Sequence, residues 1–227
     1  MKKLIVFDLD KTLVSIDTAD EWFRYAIAIG IGIVKPKDEM IKQQLSYEKL
    51  YSQAKIDMKE YVKFSLKPFI GMEITSFNSY ILEFVNEVVI DKVYSRGKAL
   101  ISEYKRKISE VVLISATIKN LVEPVGLYLG FPRENILAIN ILEENNRIKG
   151  ETKDTLTFKE GKVERLLEWA NNRNITTNNI TFYSDSVNDL PLLEYAKTAI
   201  ATNPSKDLYQ IAKLRGWQII EFEHYIT

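Results

Sequence analysis

Apolar residues are distributed along this chain in two distinct ways. Residues 3–7 (KLIVF) form a short unbroken apolar run closed by Asp8, and EVVLIS (110–115) and NITFYS (179–184) repeat the pattern. Runs of this length without polar alternation predict strands buried on both faces. TAIAT (198–202) and WQIIEF (217–222) predict two further strands. Between them, KVERLLEWANNR (162–173) and PSKDLYQIAKLRGW (204–217) space their apolar residues at helical period. In the second, Pro204 and Ser205 suit a helix start and Gly216 its stop.

Residues 16–95 follow another rule. DTADEWFRYAIAIG, DEMIKQQLSYEKLYSQAKIDMKEYVKFSL and SFNSYILEFVNEVV all carry helical spacing, with no comparable strand among them. The pattern predicts an α/β core of residues 1–15 and 96–227, a Rossmann-like, mostly parallel sheet with helices on both faces. An all-helical cap, residues 16–95, is inserted after the first strand. AINILEENNRIKGET (138–152) predicts a β-hairpin turning at Glu144-Asn145-Asn146.

Composition narrows the function classes. The 227 residues are 46% hydrophobic, enough for a sizeable core, and 31 basic residues balance 31 acidic ones. Zero net charge argues against binding to nucleic acid or a membrane surface through bulk charge. The absence of cysteine excludes disulfides, thiolate metal sites and cysteine nucleophiles. The single histidine, His224, reads as a tail residue. No apolar stretch approaches a membrane span, and the run after Met1-Lys2-Lys3 is too short for a signal peptide, so a cytoplasmic location is expected.

Ligands of open α/β sheets bind at the carboxyl ends of the strands. There the first strand delivers Asp8 and Asp10, the second Ser115, and the third Ser184, Asp185, Asn188 and Asp189. Any one of these could be a strand terminator or a helix cap. Four carboxylates together repel one another, and a hard divalent cation such as magnesium would compensate them, with a substrate phosphate completing its shell. A fixed cation should face that phosphate: Lys162 at a helix start is the candidate, Lys159 the fallback. Asp8 and Asp10, two apart on an extended chain, project to the same side.

The chain resembles the haloacid dehalogenase-type phosphohydrolases, in their phosphoserine phosphatase-like branch. FDLDKTL is similar to the first motif of that family, LISAT to the second, GKV to the third and YSDSVNDLPLL to the fourth. The resemblance implies that Asp8 is the nucleophile, taking the phosphoryl group as an aspartyl-phosphate. On the same resemblance Asp10 would be the acid that protonates the leaving oxygen and then the base that activates water. Magnesium would be held by Asp8 and Asp185 and by the Asp10 carbonyl, with Asp189 in support. Ser115, Lys162 and Asn188 would meet the phosphate, and Thr12 would hold the loop.

The implied partner is a small phosphorylated metabolite handled by a monomer or dimer, with phosphoserine a candidate. Asp17 falls where that branch carries a substrate-facing glutamate, although it equally suits the N-cap of a helix starting at Thr18. The carboxylate-binding arginine of the branch has no counterpart: no arginine occurs between Arg24 and Arg96, and YVKFSLKPFIG offers only Lys63 and Lys67. A phosphotransferase or mutase would use the same nucleophile. A receiver-like phospho-accepting module would share Asp8, Ser115, Lys162 and magnesium, but needs neither Asp10 nor a cap.

Overall fold

The computed structural model describes residues 3–32, 35–107 and 110–222; His224 lies outside them. In chain order the strands are β1 (Leu4–Phe7), β2 (Glu110–Ile118), β3 (Ile136–Ile139), β4 (Ile141–Glu144), β5 (Arg147–Thr152), β6 (Ile180–Ser184), β7 (Thr198–Thr202) and β8 (Gln218–Ile220). The α-helices are α1 (Thr18–Ala28), α2 (Lys37–Ser52), α3 (Met58–Leu66), α4 (Ile74–Phe84), α5 (Ser95–Arg106), α6 (Lys119–Tyr128), α7 (Glu160–Asn171), α8 (Leu190–Tyr195) and α9 (Lys206–Arg215).

Six strands form one sheet in the order β3-β2-β1-β6-β7-β8, every pair parallel. The β1 residues explain its central place: all four are buried, and alternation sends them to opposite faces. Leu4 and Val6 pack with Leu166 and Trp169 of α7, Leu192 of α8 and Leu208 of α9. Ile5 and Phe7 join the other core, with Ile101 of α5 and Val122 and Val125 of α6. Register places Phe7 beside Leu113 of β2 and Tyr183 of β6, so the three polar strand ends emerge side by side.

Between β1 and β2 the chain is helical. Trp22 of α1 anchors this region, its ring 5.7, 5.8 and 5.5 Å from those of Phe69, Phe77 and Phe84. After α4 the helix loosens into a π turn, Val85–Val89, and a 3₁₀ turn, Ile90–Lys92, before the chain enters α5. The segment 38–66, read from sequence as one helical stretch, is broken at Gln53–Asp57. Ala54 there adopts φ 54°, and Asp57 caps α3 by accepting from Lys59 and Glu60 N–H.

Two elements depart from the sequence-based expectation. Residues 136–139 belong to the main sheet as β3, so the hairpin is β4 and β5 alone. Its turn is at Asn145-Asn146, with φ 51° and 61°, the left-handed pair that asparagine tolerates. The apolar residues on both sides of Asn140 hide the corner there, because one asparagine between two apolar runs does not mark a boundary. Helix α6 was concealed by Pro124 and Gly126. Gly126 serves close packing: a Cβ would stand 2.7 Å from Ile136 Cδ1 and 2.9 Å from Leu113 Cδ2.

The hairpin ties the helical region to the core. Gly71 N–H donates to Ile148 O (2.9 Å), Ile148 N–H to Met72 O (3.1 Å) and Ile74 N–H to Asn146 O (2.9 Å). Among the described residues no helix is long and apolar enough to cross a membrane.

Candidate active site

The carboxyl ends of β1, β2 and β6 open into a cavity of ≈ 530 Å³ roofed by α2, α3 and the turn between them. Asp8, Asp10, Asp17, Asp185 and Asn188 all line it. The polar strand ends singled out in the sequence thus meet at one place.

Lys162, in the first turn of α7, is 1% exposed. Its Nζ donates to Asp8 Oδ1 (2.7 Å) and Asp189 Oδ2 (2.8 Å). Burial alone would push the ammonium's pKa down, but Asp189 and Asp8 outweigh it and hold it above the ordinary lysine range. Gly161 makes this approach possible, since a Cβ there would collide with the Leu156 carbonyl oxygen. The same loop presents Thr157 Oγ1, which donates to Ser115 O (2.5 Å) and pins β2 to α7. Lys159, the fallback cation, instead donates to Ala54 O (2.9 Å) in the helical region.

Asp8 and Asp185 are joined through Thr12. Its Oγ1 lies 3.1 Å from Asp8 Oδ2 and 3.3 Å from Asp185 Oδ1, and it accepts the Asp185 N–H (3.0 Å). Burial pushes Asp8 up to about 7, with Asp189 and Asp10 adding to the rise and Lys162 opposing it. Asp185 is raised well above the carboxylate range by burial and then by Asp8 and Asp189. One lysine therefore leaves an excess of buried negative charge.

Asp10 sits apart from that cluster. Its Oδ1 accepts Thr18 N–H at the start of α1 (2.7 Å), and its Oδ2 accepts Thr117 Oγ1 (2.9 Å) and Ser115 Oγ (3.4 Å). Asp189 turns inward, accepting from Ser184 Oγ (2.7 Å) besides Lys162. Among the described residues, no three acidic side chains close round a single point. Asp8 and Asp185 converge, while the Asp10 and Asp189 side chains are committed elsewhere. Asn188 Nδ2 donates to Tyr51 O (3.1 Å), tying the β6 loop to α2, and its Oδ1 is buried without a partner.

Asp17 both caps α1, accepting Asp20 N–H (3.1 Å), and lines the cavity. Burial and the charge of Asp10 push its pKa up to about 6, with Lys11 opposing. Lys63 and Lys67 line a separate hollow of ≈ 220 Å³. The sequence places Thr117 after Ser115 at the end of the second strand without giving it a role, and Gln44, Tyr51 and Tyr61 could not be distinguished from core by the helical stripe alone.

The haloacid dehalogenase-like hydrolase profile matches residues 5–194. The chain belongs to that family. A histidinol-phosphatase of Neisseria meningitidis serogroup C (strain 8013) is 30% identical over 227 residues, covering 98% of this chain and 100% of the relative. A structure from Bordetella pertussis Tohama I, of unknown function, superposes with TM-score 0.89 at 26% identity, covering 98% of this chain and 100% of that one. A phosphoserine phosphatase solved as a phospho-aspartyl intermediate analogue shares the fold: TM-score 0.70, 19% identity, 98% and 94% covered. As a haloacid dehalogenase-like phosphatase, the protein is a phosphoric monoester hydrolase.

Proposed function

We propose that the protein is a magnesium-dependent phosphatase of a small phosphorylated metabolite, working through an aspartyl-phosphate on Asp8, with residues 16–95 as the cap that encloses the substrate. The observation that carries this is the pairing of buried Lys162 with Asp8 while Asp10 is held separately by Thr18, Ser115 and Thr117. Two neighbouring carboxylates thereby have different environments, as a nucleophile and a proton donor require.

The donor set suits magnesium: Asp8 and Asp185 offer hard oxygens, and their proton affinity is raised first by burial and then by the acids around them, with Lys162 opposing. Asp8, Asp185 and the Asp10 carbonyl would hold the ion, with Asp189 in support. When bound, it would supply charge compensation for the carboxylates and the phosphoryl oxygens.

Asp8 attacks phosphorus and the bond to the leaving oxygen breaks. Asp10 gives its proton to that oxygen, releasing the alcohol. A water then attacks phosphorus, Asp10 takes its proton, and the Asp8–phosphorus bond breaks to free phosphate and restore the carboxylate. Lys162, Ser115 and Asn188 stabilise the phosphoryl oxygens through charge and hydrogen bonds.

The relative's name makes histidinol phosphate the leading substrate candidate, with phosphoserine second. The test is phosphate release from both esters with magnesium, by wild type, Asp8→Asn and Asp10→Asn. Release by wild type alone, with no added acceptor, supports hydrolysis. Release that persists in Asp8→Asn would remove the nucleophile from the scheme, and release that requires an acceptor alcohol would make the protein a phosphotransferase.

A further inference from the structure

Beyond the phosphoryl site, the cavity extends under α2 and α3 to a second polar group. Gln44 is 1% exposed, yet it lines the cavity. Its Nε2 donates to Asp20 Oδ1 (3.2 Å) and Tyr61 Oη (3.2 Å). Asp20 orients the amide, its Oδ1 accepting from the NH₂. Asp20 is itself held from its other oxygen by Arg24 Nε (3.2 Å), and Arg24 also binds Glu48 Oε1 (2.8 Å). Gln44 is therefore rigidly placed, and its Oε1 is left buried with no hydrogen-bond partner. A buried orphan acceptor is costly unless something donates to it.

The surroundings specify the donor. Besides the phosphoryl-site acids, Asp17, Asp20 and Glu48 line the cavity; Arg24 pairs with Asp20 and Glu48 from behind, and Lys11 and Lys49 are the lining bases. Lys11 is drawn to Asp17, 3.8 Å away. Tyr47, Tyr51 and Tyr61 supply ring surface, and negative neighbours hold the Tyr61 hydroxyl protonated once burial has raised it. Among the described residues no arginine lines the chamber, and Lys63 and Lys67 line the other hollow. A carboxylate would find no fork to bind it, whereas a cation would meet acids, an amide oxygen and aromatic faces.

We propose that Gln44 is a specificity-determining residue whose Oε1 accepts a hydrogen bond from an ammonium on the substrate's leaving alcohol, so that the enzyme selects amine-bearing phosphate esters without a carboxylate. This rests on the phosphomonoesterase reading above. It excludes phosphoserine as the preferred substrate on physical grounds, independently of any relative's name.

Two matched pairs test it: histidinol phosphate against imidazolylpropyl phosphate, and phosphoethanolamine against ethyl phosphate, with phosphoserine as the carboxylate case. Wild type should show KM lower by on the order of tenfold or more for the amine of at least one pair, and phosphoserine should be the poorer amine. Gln44→Met, which keeps length but leaves only a weakly accepting thioether, should bring that KM ratio to within about twofold of one. No amine preference in wild type, or an undiminished preference in folded Gln44→Met, overturns the proposal. If Gln44→Met does not fold, Gln44→Asn is read the same way, since its shorter amide withdraws the acceptor. If wild type releases phosphate from none of the esters, these substrate candidates fail by themselves. Calorimetric binding of the same pairs then decides the amine claim, equal affinities overturning it and tighter amine binding supporting it.

Discussion

Lys162 Nζ stands 2.7 Å from Asp8 Oδ1, and both side chains are buried. The contact joins the first strand to the seventh helix, and the same ammonium holds Asp189. Removing one partner of a buried charge cluster leaves the others unpaired. Lys162→Met should therefore cost about 3–5 kcal/mol of stability, read from urea midpoints without added metal. Magnesium should return part of the loss by restoring positive charge beside Asp8. A loss below about 1 kcal/mol, the size of an exposed pair, would mean the three groups are not mutually dependent.

Asp17 gives a prediction with a definite pH window. Its carboxyl is pushed from 3.8 up to about 6 in the folded protein, by burial and by Asp10. The folded state then binds that proton more tightly than the unfolded state, so stability falls as pH rises from 3.8 to about 6 and is level above. Asparagine caps helices as well as aspartate does, so Asp17→Asn removes the charge and keeps the cap. The variant should equal wild type near pH 4 and be the more stable above pH 6, with urea midpoints diverging between. Parallel curves would mean the carboxylate is solvated enough to ionise freely.

Gly161 ties stability to the placement of Lys162. The obstacle to a side chain there is the Leu156 carbonyl, a backbone atom that no rotamer change can move. Gly161→Ala should shift α7 or the 155–158 loop, costing about 1–3 kcal/mol by overpacking, although alanine favours helix over glycine by about 1 kcal/mol. Because Lys162 is the next residue, phosphate release should fall further than the stability loss accounts for. A variant at least as stable and as active as wild type would show that the loop yields freely.

The sequence made the site more legible than the layers around it. Asp8, Asp10, Ser115, Asp185 and Asn188 were visible because strand ends punctuate apolar runs, and parallel register brings three such ends together. Lys162 was legible only beside those acids, since a lysine at a helix start is ordinarily solvated. Gln44 was invisible: nothing in IKQQLSYE (41–48) distinguishes a buried glutamine from an exposed one until α3 packs Tyr61 against it. β3 and α6 were lost for opposite reasons, the first to an apolar run that conceals a corner, the second to Pro124 and Gly126, whose usual meaning is a break. The hairpin was legible but its role was not, because its bonds to 71–74 depend on chain distant in sequence.

Asp185 separates electrostatic strain from ion binding. It is raised well above the carboxylate range by burial and by Asp8, and Lys162 and Lys11 do not cancel that rise. At neutral pH its ionised form is therefore opposed by the fold, and Asp185→Asn should melt higher than wild type in EDTA. With magnesium the order should reverse. An ion at about a hundred times its Kd stabilises by about 2.7 kcal/mol, which for a chain of this size raises Tm by roughly 5–10 °C. Asp185→Asn has lost a hard oxygen ligand and should gain much less. Scanning calorimetry of both proteins, in EDTA and in magnesium, reads the two effects separately. If the variant keeps the full magnesium shift, the ion binds somewhere other than between Asp8 and Asp185. If it melts lower in EDTA, Thr12 and the neighbouring lysines compensate the Asp185 charge without any ion.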